Sequence, residues 1–332
     1  MYDVIVVGGG PGGSAAAISC ACANLRVLLL EKLPFPREHP GETLHPGIEP
    51  LLKQLGVLDR VLAAGFLRHQ GTWVQWEDGL QFVPFGEDES GVWQGFQAWR
   101  ADFDKILLER AKAVGVEVLQ PCRASRLIVR EERAIGVETS RGVFHASIVM
   151  DAAGGHHWLA KQLGLQIRPY SPPLIAYYGY VRGNCPIREE APAIIADEQG
   201  WTWTAKVSPD RYQWTRLTFN GDWVKRDWFP EEFSGLNPMG QSRVADVTWR
   251  KVDRPAGLGY FLVGDAAAAI DPASSHGVLK AVMSGIMAGH LAKLIFKDSQ
   301  LEHKAIEEYC QWVRGWFHHD IEKLKQLYAR WD

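Results

Sequence analysis

The sequence lacks the cysteine pattern of a secreted or metal-binding protein. Its 332 residues include five cysteines, and their spacing fits neither a disulfide framework nor a metal site. Cys20 and Cys22 lie two positions apart on a predicted helix, so their side chains point in different directions. We therefore expect reduced thiols, no bound metal and a cytoplasmic location.

The sequence also lacks a large excess of charge and a long apolar segment. A net charge of −3 indicates no broad surface for nucleic acid or anionic lipid. The apolar run 281–296 contains His290 and Lys293 and is shorter than a membrane-spanning helix requires. The first strand begins at the N-terminus, which leaves no room for a signal peptide. We expect no nucleic-acid partner and no membrane span.

A glycine-rich turn between a strand and a helix is the main feature that the sequence does contain. The apolar, β-branched run 4–7 leads into glycines spaced as G-x-G-x-x-G, at Gly8, Gly10 and Gly13. These glycines permit a tight turn, the approach of a diphosphate to the backbone, and close packing of helix on strand. The free N–H groups at the helix start then bind the diphosphate. A second apolar strand, 26–30, ends in Glu31, where an acidic residue accepts the ribose hydroxyls of an adenosine. The pattern predicts a dinucleotide site.

The order of helix-like and strand-like patterns along the chain predicts an α/β fold. It has a discontinuous, Rossmann-like nucleotide-binding domain and an inserted β-sheet domain. Most of the 14 tryptophans lie in the β-rich middle of the chain. The predicted divisions are residues 1–72, 98–170 and 250–298 for the nucleotide-binding domain, 73–97 and 171–249 for the substrate domain, and 299–332 for a C-terminal helix.

Four stretches, in the same order, make this chain similar to a known group of flavoproteins. They are Gly8 to Gly13 with Glu31; Arg100 at the start of a helix that continues Ala-Asp-Phe-Asp; Asp151-Ala-Ala-Gly154; and Gly264-Asp265 followed by Asp271-Pro272-Ala-Ser-Ser-His276-Gly277-Val278. The chain resembles the FAD-dependent monooxygenase and halogenase superfamily, the p-hydroxybenzoate hydroxylase-like flavoproteins. The resemblance covers almost the whole chain.

The resemblance implies one noncovalently bound FAD. In this family the aspartate at position 265 accepts hydrogen bonds from the ribityl hydroxyls. The helix predicted to begin near Pro272 aims its N–H groups at the pyrimidine edge of the flavin, where it stabilises the anion of the reduced cofactor. The segment from Arg37 to Gly41 and Glu42 resembles the loop after the second strand in the halogenase branch, where the arginine reaches the cofactor. A solvent-facing ion pair is the competing interpretation of Arg37. The implied FAD-binding residues are Gly8, Gly10, Pro11, Gly12, Gly13, Ser14, Glu31, Lys32, Arg37, Glu42, Arg100, Asp151, Gly154, Gly264, Asp265, Pro272, Gly277 and Val278.

The sequence contains no second G-x-G-x-x-G motif for a nicotinamide dinucleotide. This favours a flavoprotein that is reduced by transiently bound NAD(P)H or by a partner flavin reductase. In the family, the reduced flavin and O2 form a C4a-hydroperoxide that hydroxylates an electron-rich aromatic ring. We predict that reaction here, with Trp201 and Trp203 on one face of a substrate-domain strand. Packing in the domain core is the alternative role of any single tryptophan.

Halogenation is the first alternative reaction, but three motifs depart from the halogenase branch. His69 stands where the halogenases have a lysine in G-F-x-x-K. Trp201 and Trp203 match the halogenase tryptophans, yet Ala205 and Lys206 replace the Ile-Pro that follows them. His276 is inserted into the Ser-Ser-Gly stretch. A reductase of the geranylgeranyl type is the second alternative, since such enzymes share the FAD stretches.

Two histidines are candidate acid–base groups. Neutral His69 or His276 could deprotonate an indole or a phenol, because the pKa of imidazole lies near neutral pH. The alternative is that either ring only fills space in the pocket. His156 and His157 are expected on the surface. The tryptophan pattern without the lysine is also similar to the flavoproteins of tryptophylquinone maturation, so the substrate is either an aromatic small molecule or a tryptophan-containing polypeptide.

Overall fold

The computed structural model describes residues 1–76, 79–89, 91–219 and 221–329. The α-helices are α1 (Pro11–Cys22), α2 (Glu49–Gln54), α3 (Leu58–Ala63), α4 (Arg100–Ala113), α5 (Trp158–Gln162), α6 (Gly277–Lys297) and α7 (Glu302–Tyr328).

The strands of the first half of the chain are β1 (Tyr2–Val7), β2 (Val27–Leu30), β3 (Thr43–Leu44), β4 (Leu67–His69), β5 (Gly71–Gln75), β6 (Gln81–Pro84), β7 (Glu87–Asp88), β8 (Gly91–Val92), β9 (Gly95–Gln97), β10 (Glu117–Leu119), β11 (Ala124–Arg130), β12 (Arg133–Thr139) and β13 (Gly142–Asp151). Those of the second half are β14 (Ile167–Pro169), β15 (Ile175–Arg182), β16 (Ala193–Asp197), β17 (Gly200–Ser208), β18 (Arg211–Thr218), β19 (Asn237–Pro238), β20 (Arg243–Asp246), β21 (Arg250–Val252), β22 (Ala256–Gly257), β23 (Tyr260–Leu262) and β24 (Ala268–Ala269).

The first sheet is a Rossmann-like layer with the order β10-β2-β1-β13-β12-β11. The strands β2 and β13 flank β1 and run parallel to it, and β23 runs parallel to β13. Residues 4–7 and 27–30 are buried on both faces of the sheet, which explains their continuous apolar runs. The predicted α/β class and the nucleotide-binding layer are confirmed.

Helix α6 packs directly on α1, and two glycines make the close approach possible. A Cβ on Gly285 would lie 2.2 Å from the Gly12 carbonyl oxygen, and one on Gly289 would lie 2.5 Å from the Ser19 Cβ. Within the described residues, α6 is the one helix long and apolar enough to cross a membrane by length and composition. It extends beyond the run 281–296, so the prediction that it is too short was wrong. One face of α6, which includes the buried residues Val282, Gly285 and Ala288, packs in the protein core.

The second sheet has the order β19-β15-β18-β17-β16-β5-β6, with β20 also paired to β15. It therefore combines a hairpin from the first third of the chain with strands from residues 175–246, as the predicted substrate domain requires. The hairpin β5–β6 is antiparallel, and Asp78 of its turn lies outside the described residues. The domain boundaries themselves stay a prediction.

One face of the second sheet is directed toward the nucleotide-binding layer. The Tyr180 hydroxyl on β15 donates a 2.6 Å hydrogen bond to Glu42, which follows the first βαβ unit. Residues directly opposite in antiparallel strands share a face. The pairings Tyr180 with Gln213, Tyr178 with Thr215, and Trp203 with Thr215 therefore place these side chains on the same inner face.

Candidate functional site

The first turn after β1 can be built only from glycine. Gly8 has a φ of +109°, and a Cβ there would lie 2.4 Å from the Ala152 carbonyl oxygen. A Cβ on Gly13 would lie 1.9 Å from the Gly8 carbonyl oxygen. No side chain caps the N-terminus of α1. The backbone N–H groups and the positive end of this helix are therefore available to a diphosphate.

Glu31 at the end of β2 is held in place by backbone donors. Its carboxylate accepts hydrogen bonds from Gly9 N at 2.8 Å and from Leu33 N at 2.9 Å. The side chain is buried beside the glycine turn, whereas Lys32 is exposed. A carboxylate oxygen has two acceptor positions, so both oxygens can still accept from ribose hydroxyls.

Arg100 lies at the start of α4 in a buried cluster of charge. Its guanidinium makes a bidentate pair with Asp104, at 2.8 and 3.0 Å, and donates to the Pro40 carbonyl oxygen at 2.8 Å. Arg37 is 3.5 Å from the same Asp104 carboxylate, with its side chain only 14% exposed. Its Nε is buried and has no partner among the described residues. The Arg37 ion pair is therefore mostly buried rather than solvent-facing, and one donor is left for a ligand.

Two aspartates at the carboxyl edge of the first sheet have different environments. Asp151 is fully buried and accepts from Ala153 N at 2.9 Å and Leu159 N at 2.8 Å, so it shapes the loop that contains Gly154. Burial raises the pKa of Asp151 to about 6. Asp265 is exposed, and its carboxylate makes no hydrogen bond within the described part of the chain. The surrounding protein nevertheless raises the pKa of Asp265, and Arg100 partly opposes that rise. An exposed carboxylate without a protein donor is suited to accept hydrogen bonds from the hydroxyls of a ligand.

The second uncapped helix N-terminus is that of α6. The helix begins at Gly277, not near Pro272 as predicted, because Pro272–Ser274 forms a separate turn of 3-10 helix and Ser275 adopts a φ of +52°. His276 is the N-cap residue, and no side chain caps the helix. No atom lies within 4 Å of a Cβ built on Gly277, so a planar ring system can approach the backbone there.

Four rings stand in edge contact between the small sheet β3-β9-β4 and the start of α6. The ring of His276 lies 5.0 Å from that of His45, and His45 lies 5.5 Å from Phe85. Phe85 lies 5.2 Å from His69. We call these four residues the ring cluster. It brings the two predicted candidate histidines to the same side of the site and adds two residues that the sequence motifs did not indicate.

The histidines of the ring cluster are held in the neutral form. Burial lowers the pKa of His69 to about 4, and burial together with nearby His45 lowers the pKa of His276 to about 4. His69 is buried, and its Nδ1 lies 2.9 Å from the Gly71 carbonyl oxygen. His45 Nδ1 accepts from Gly47 N at 3.0 Å, so the proton of neutral His45 resides on Nε2.

These features fit the chemistry of FAD. The glycine turn and the uncapped α1 suit the diphosphate, Glu31 the ribose, and the exposed Asp265 the ribityl chain. The free Nε of Arg37 and the open approach to Gly277 suit the rest of the cofactor. A family model for FAD dependent oxidoreductases matches residues 3–41.

This chain is an FAD-dependent oxidoreductase, and it is similar to enzymes of the monooxygenase and halogenase superfamily. It is 30% identical to a tryptophan 2-halogenase of Chondromyces crocatus over 95% of its own length and 65% of that enzyme's length. It therefore spans slightly less than two thirds of that relative.

Solved structures show the same architecture. The myxobacterial chondrochloren halogenase CndH is 26% identical, with a TM-score of 0.89 over 98% of this chain and 82% of that one. PqsL of Pseudomonas aeruginosa, solved with 2-aminobenzoylacetate, is 17% identical, with a TM-score of 0.79 over 93% of this chain and 90% of that one. At this identity PqsL shows the fold alone.

The two tryptophans of the predicted pocket differ in this flavoprotein. Trp203 is 9% exposed and lies on the inner face of the second sheet. Trp201 is 0% exposed, and its indole N–H donates to the Tyr328 hydroxyl at 2.7 Å. Both therefore lie on the inner face of β17, where Trp201 is completely enclosed by protein and Trp203 keeps a small exposed area. Their predicted catalytic role stays a prediction.

Several residues of the site escaped the sequence motifs. Asp104 could have been found, because it follows Arg100 by four positions on one helix face. His157, expected on the surface, is buried: its Nδ1 is 3.0 Å from the Ala266 carbonyl oxygen, and its Nε2 accepts from Arg250 at 2.9 Å. It supports the turn next to Asp265. Tyr180, His45 and Phe85 reach the site through tertiary contacts that no sequence spacing indicates.

Proposed function

We propose that this flavoprotein is a monooxygenase that hydroxylates an electron-rich aromatic ring with O2. The ring is an indole or a phenol, in a small molecule or in a tryptophan side chain of a partner polypeptide. The electrons come from NAD(P)H or from a partner flavin reductase. When bound and reduced, FAD supplies the activation of O2.

The environment of His69 is the observation that supports this proposal most directly. By resemblance, this position belongs to the lysine with which halogenases handle hypohalous acid. His69 is buried, hydrogen-bonds through Nδ1 to the Gly71 carbonyl, and has a pKa lowered to about 4. A neutral, enclosed imidazole thus stands where the halogenases have a flexible cationic amine, which argues against the same chemistry here.

His276 is the residue placed to move a proton. It is neutral and only partly buried, and it stands at the N-terminus of α6 next to His45. Loss of a proton from an indole or phenol activates the ring toward an electrophilic oxygen, and a neutral imidazole can accept that proton. With its pKa lowered to about 4, His276 is a weaker base than a free imidazole. The inner-face side chains Tyr178 and Trp203 provide walls that keep water out.

Halogenation is the second candidate function, and similarity to halogenases favours it. The similarity to the tryptophan 2-halogenase extends over 95% of this chain, and the similarity to CndH over 98%. The same walls and the same α6 N-terminus would serve a halogenase that works without the lysine. The isoprenoid reductase alternative requires neither O2 nor a halide.

One product analysis distinguishes the three reactions. FAD-loaded protein is reduced without O2 and then mixed with isotopically labelled O2 and a panel of an indole, a phenol, a tryptophan peptide and an unsaturated isoprenoid, with and without bromide. The products are read by mass spectrometry. Incorporation of labelled oxygen, unchanged by bromide, supports hydroxylation. A brominated product establishes the halogenase and overturns the proposal.

A matched variant makes that analysis sharper. His69→Lys restores the charged group of the halogenase branch at the same position. If the lysine is what this chain lacks, bromination should appear only in the variant. If wild type and variant brominate equally, the argument from His69 fails. Saturation of an isoprenoid double bond without O2 uptake would instead place the protein with the reductases.

A further inference from the structure

Trp201 belongs to a halogenase-like motif, yet its indole is engaged by a residue far along the chain. The side chain is fully buried on β17, and its N–H donates to Tyr328 in the last turn of α7. The ring of Tyr328 stands edge-on to Phe219 at 5.6 Å and to Trp249 at 5.4 Å. These contacts fix where its hydroxyl lies.

The Tyr328 hydroxyl also hydrogen-bonds to the buried carboxyl of Asp271. The Trp249 indole N–H and Ala273 N donate to the same carboxyl, the latter at 2.9 Å. An indole is a donor only and a carboxylate an acceptor only. Tyr328 must therefore accept from Trp201 and donate to Asp271, so a hydroxyl is the group that can join the two.

Asp271 connects this network to the flavin-ring end of the site. Through Ala273 N it caps the 3-10 turn Pro272–Ser274, which is followed by left-handed Ser275 and then by His276 and α6. The position of the turn decides where the N–H groups of α6 and the imidazole of His276 lie. Two elements therefore meet at the Asp271 carboxyl, α7 through Tyr328 and the segment before β21 through Trp249. The strand β17 is joined to them through the hydrogen bond from Trp201 to Tyr328.

We propose that Tyr328 is a positioning residue for the flavin ring: it couples α7 and Trp201 to the α6 N-terminus through Asp271. This role of Tyr328 rests on the proposed function in one respect, namely that FAD binds at this site; it does not depend on which reaction the flavin performs. Tyr328→Phe would keep the ring contacts but leave the Trp201 N–H without an acceptor and remove one donor from Asp271. The loss of hydrogen bonds to a buried carboxyl should relax the turn that carries His276.

The test compares Tyr328→Phe with a control that loses the same kind of bond elsewhere. The Tyr212 hydroxyl likewise joins two partners: it accepts from Cys185 N at 3.0 Å and donates to Glu189, but its contacts lie away from the α6 turn. The measurements are the FAD dissociation constant, the midpoint potential of bound FAD and the Tm of each variant. Product formation is not measured, so failure of the hydroxylation proposal does not affect the result.

We expect Tyr328→Phe to weaken FAD binding about tenfold and to shift the midpoint potential. Tyr212→Phe should lower the Tm to a similar extent without a shift in potential. Trp201→Phe should reproduce the effect of Tyr328→Phe, and the double variant should add little to either, because both remove the same link. The proposal is overturned if Tyr328→Phe changes only the Tm, or if Tyr212→Phe shifts the potential equally. Should Tyr328→Phe not fold, Trp201→Phe decides by the same criteria.

Discussion

The two ends of the candidate FAD site are built in different ways. The diphosphate end is made of backbone from one continuous βαβ segment, with Gly8 and Gly13 at positions where any Cβ would collide with a carbonyl oxygen. The ring end is made of side chains from distant segments, such as His45, Phe85 and His276. Backbone recognition of a diphosphate requires little beyond glycine and a helix N-terminus. The chemistry of a reaction requires particular side chains, and these were assembled by tertiary packing.

The largest expected effect is at the diphosphate end. Gly13→Val should abolish FAD binding, because the added carbon atoms meet the Gly8 carbonyl oxygen at 1.9 Å and the backbone must move. FAD retention through gel filtration measures this. Gly315→Ala is the control: this exposed helix position has no atom within 4 Å of the new Cβ. Full flavin content in Gly13→Val would show that the turn does not bind the diphosphate.

A change at the ring end should separate chemistry from binding. His276→Gln is expected to lower kcat on the aromatic substrate by about 100-fold, the usual range for loss of an acid–base group, with the FAD dissociation constant unchanged. His290→Gln, exposed on the same helix, is the control. Comparable activity of the His276 variant and wild type would show that this ring only fills space. The ring end would then contribute binding but no acid–base group.

Asp265 lies between the two ends and should give an intermediate effect. Asp265→Ala removes an exposed acceptor that is free of hydrogen bonds within the described residues, so FAD binding should weaken by about tenfold to a hundredfold. Fluorescence titration with FAD provides the dissociation constant. The exposed Asp59→Ala is the matched loss of one carboxylate. Unchanged affinity in Asp265→Ala would remove this residue from the ribityl site.

The smallest expected effect concerns Glu42, which ties the ring end to the second sheet. Burial raises the pKa of Glu42 from 4.5 to about 7, while the Tyr180 hydroxyl partly opposes the rise. Because the folded-state pKa is raised, protonation favours the folded state. The contribution of Glu42 to stability is therefore full below the unfolded pKa and is lost as the pH rises through 7.

Glu42→Gln cannot ionise, so it should become more stable relative to wild type between about pH 5 and about pH 8, by on the order of 2 kcal/mol in the free energy of unfolding. Urea unfolding at several pH values measures the difference. Glu308→Gln, on the exposed face of α7, should follow the wild-type profile. A parallel profile for the Glu42 variant would contradict the assigned pKa.

The sequence by itself determined the FAD-binding half of this protein. A glycine with a positive φ, an uncapped helix start and an acidic residue at a strand end are features of short segments. In a βαβ dinucleotide site the first two serve the diphosphate and the third serves the ribose. The order of four such segments was enough to predict the α/β class and the superfamily, and both were confirmed.

The tertiary structure decided the rest. In the tertiary structure His157 is buried, α6 begins at Gly277, and Tyr328 joins Trp201 to Asp271. These contacts connect residues up to 127 positions apart in the chain. Each contact depends on which faces of distant strands and helices pack together. The spacing of residues along one segment does not indicate that packing.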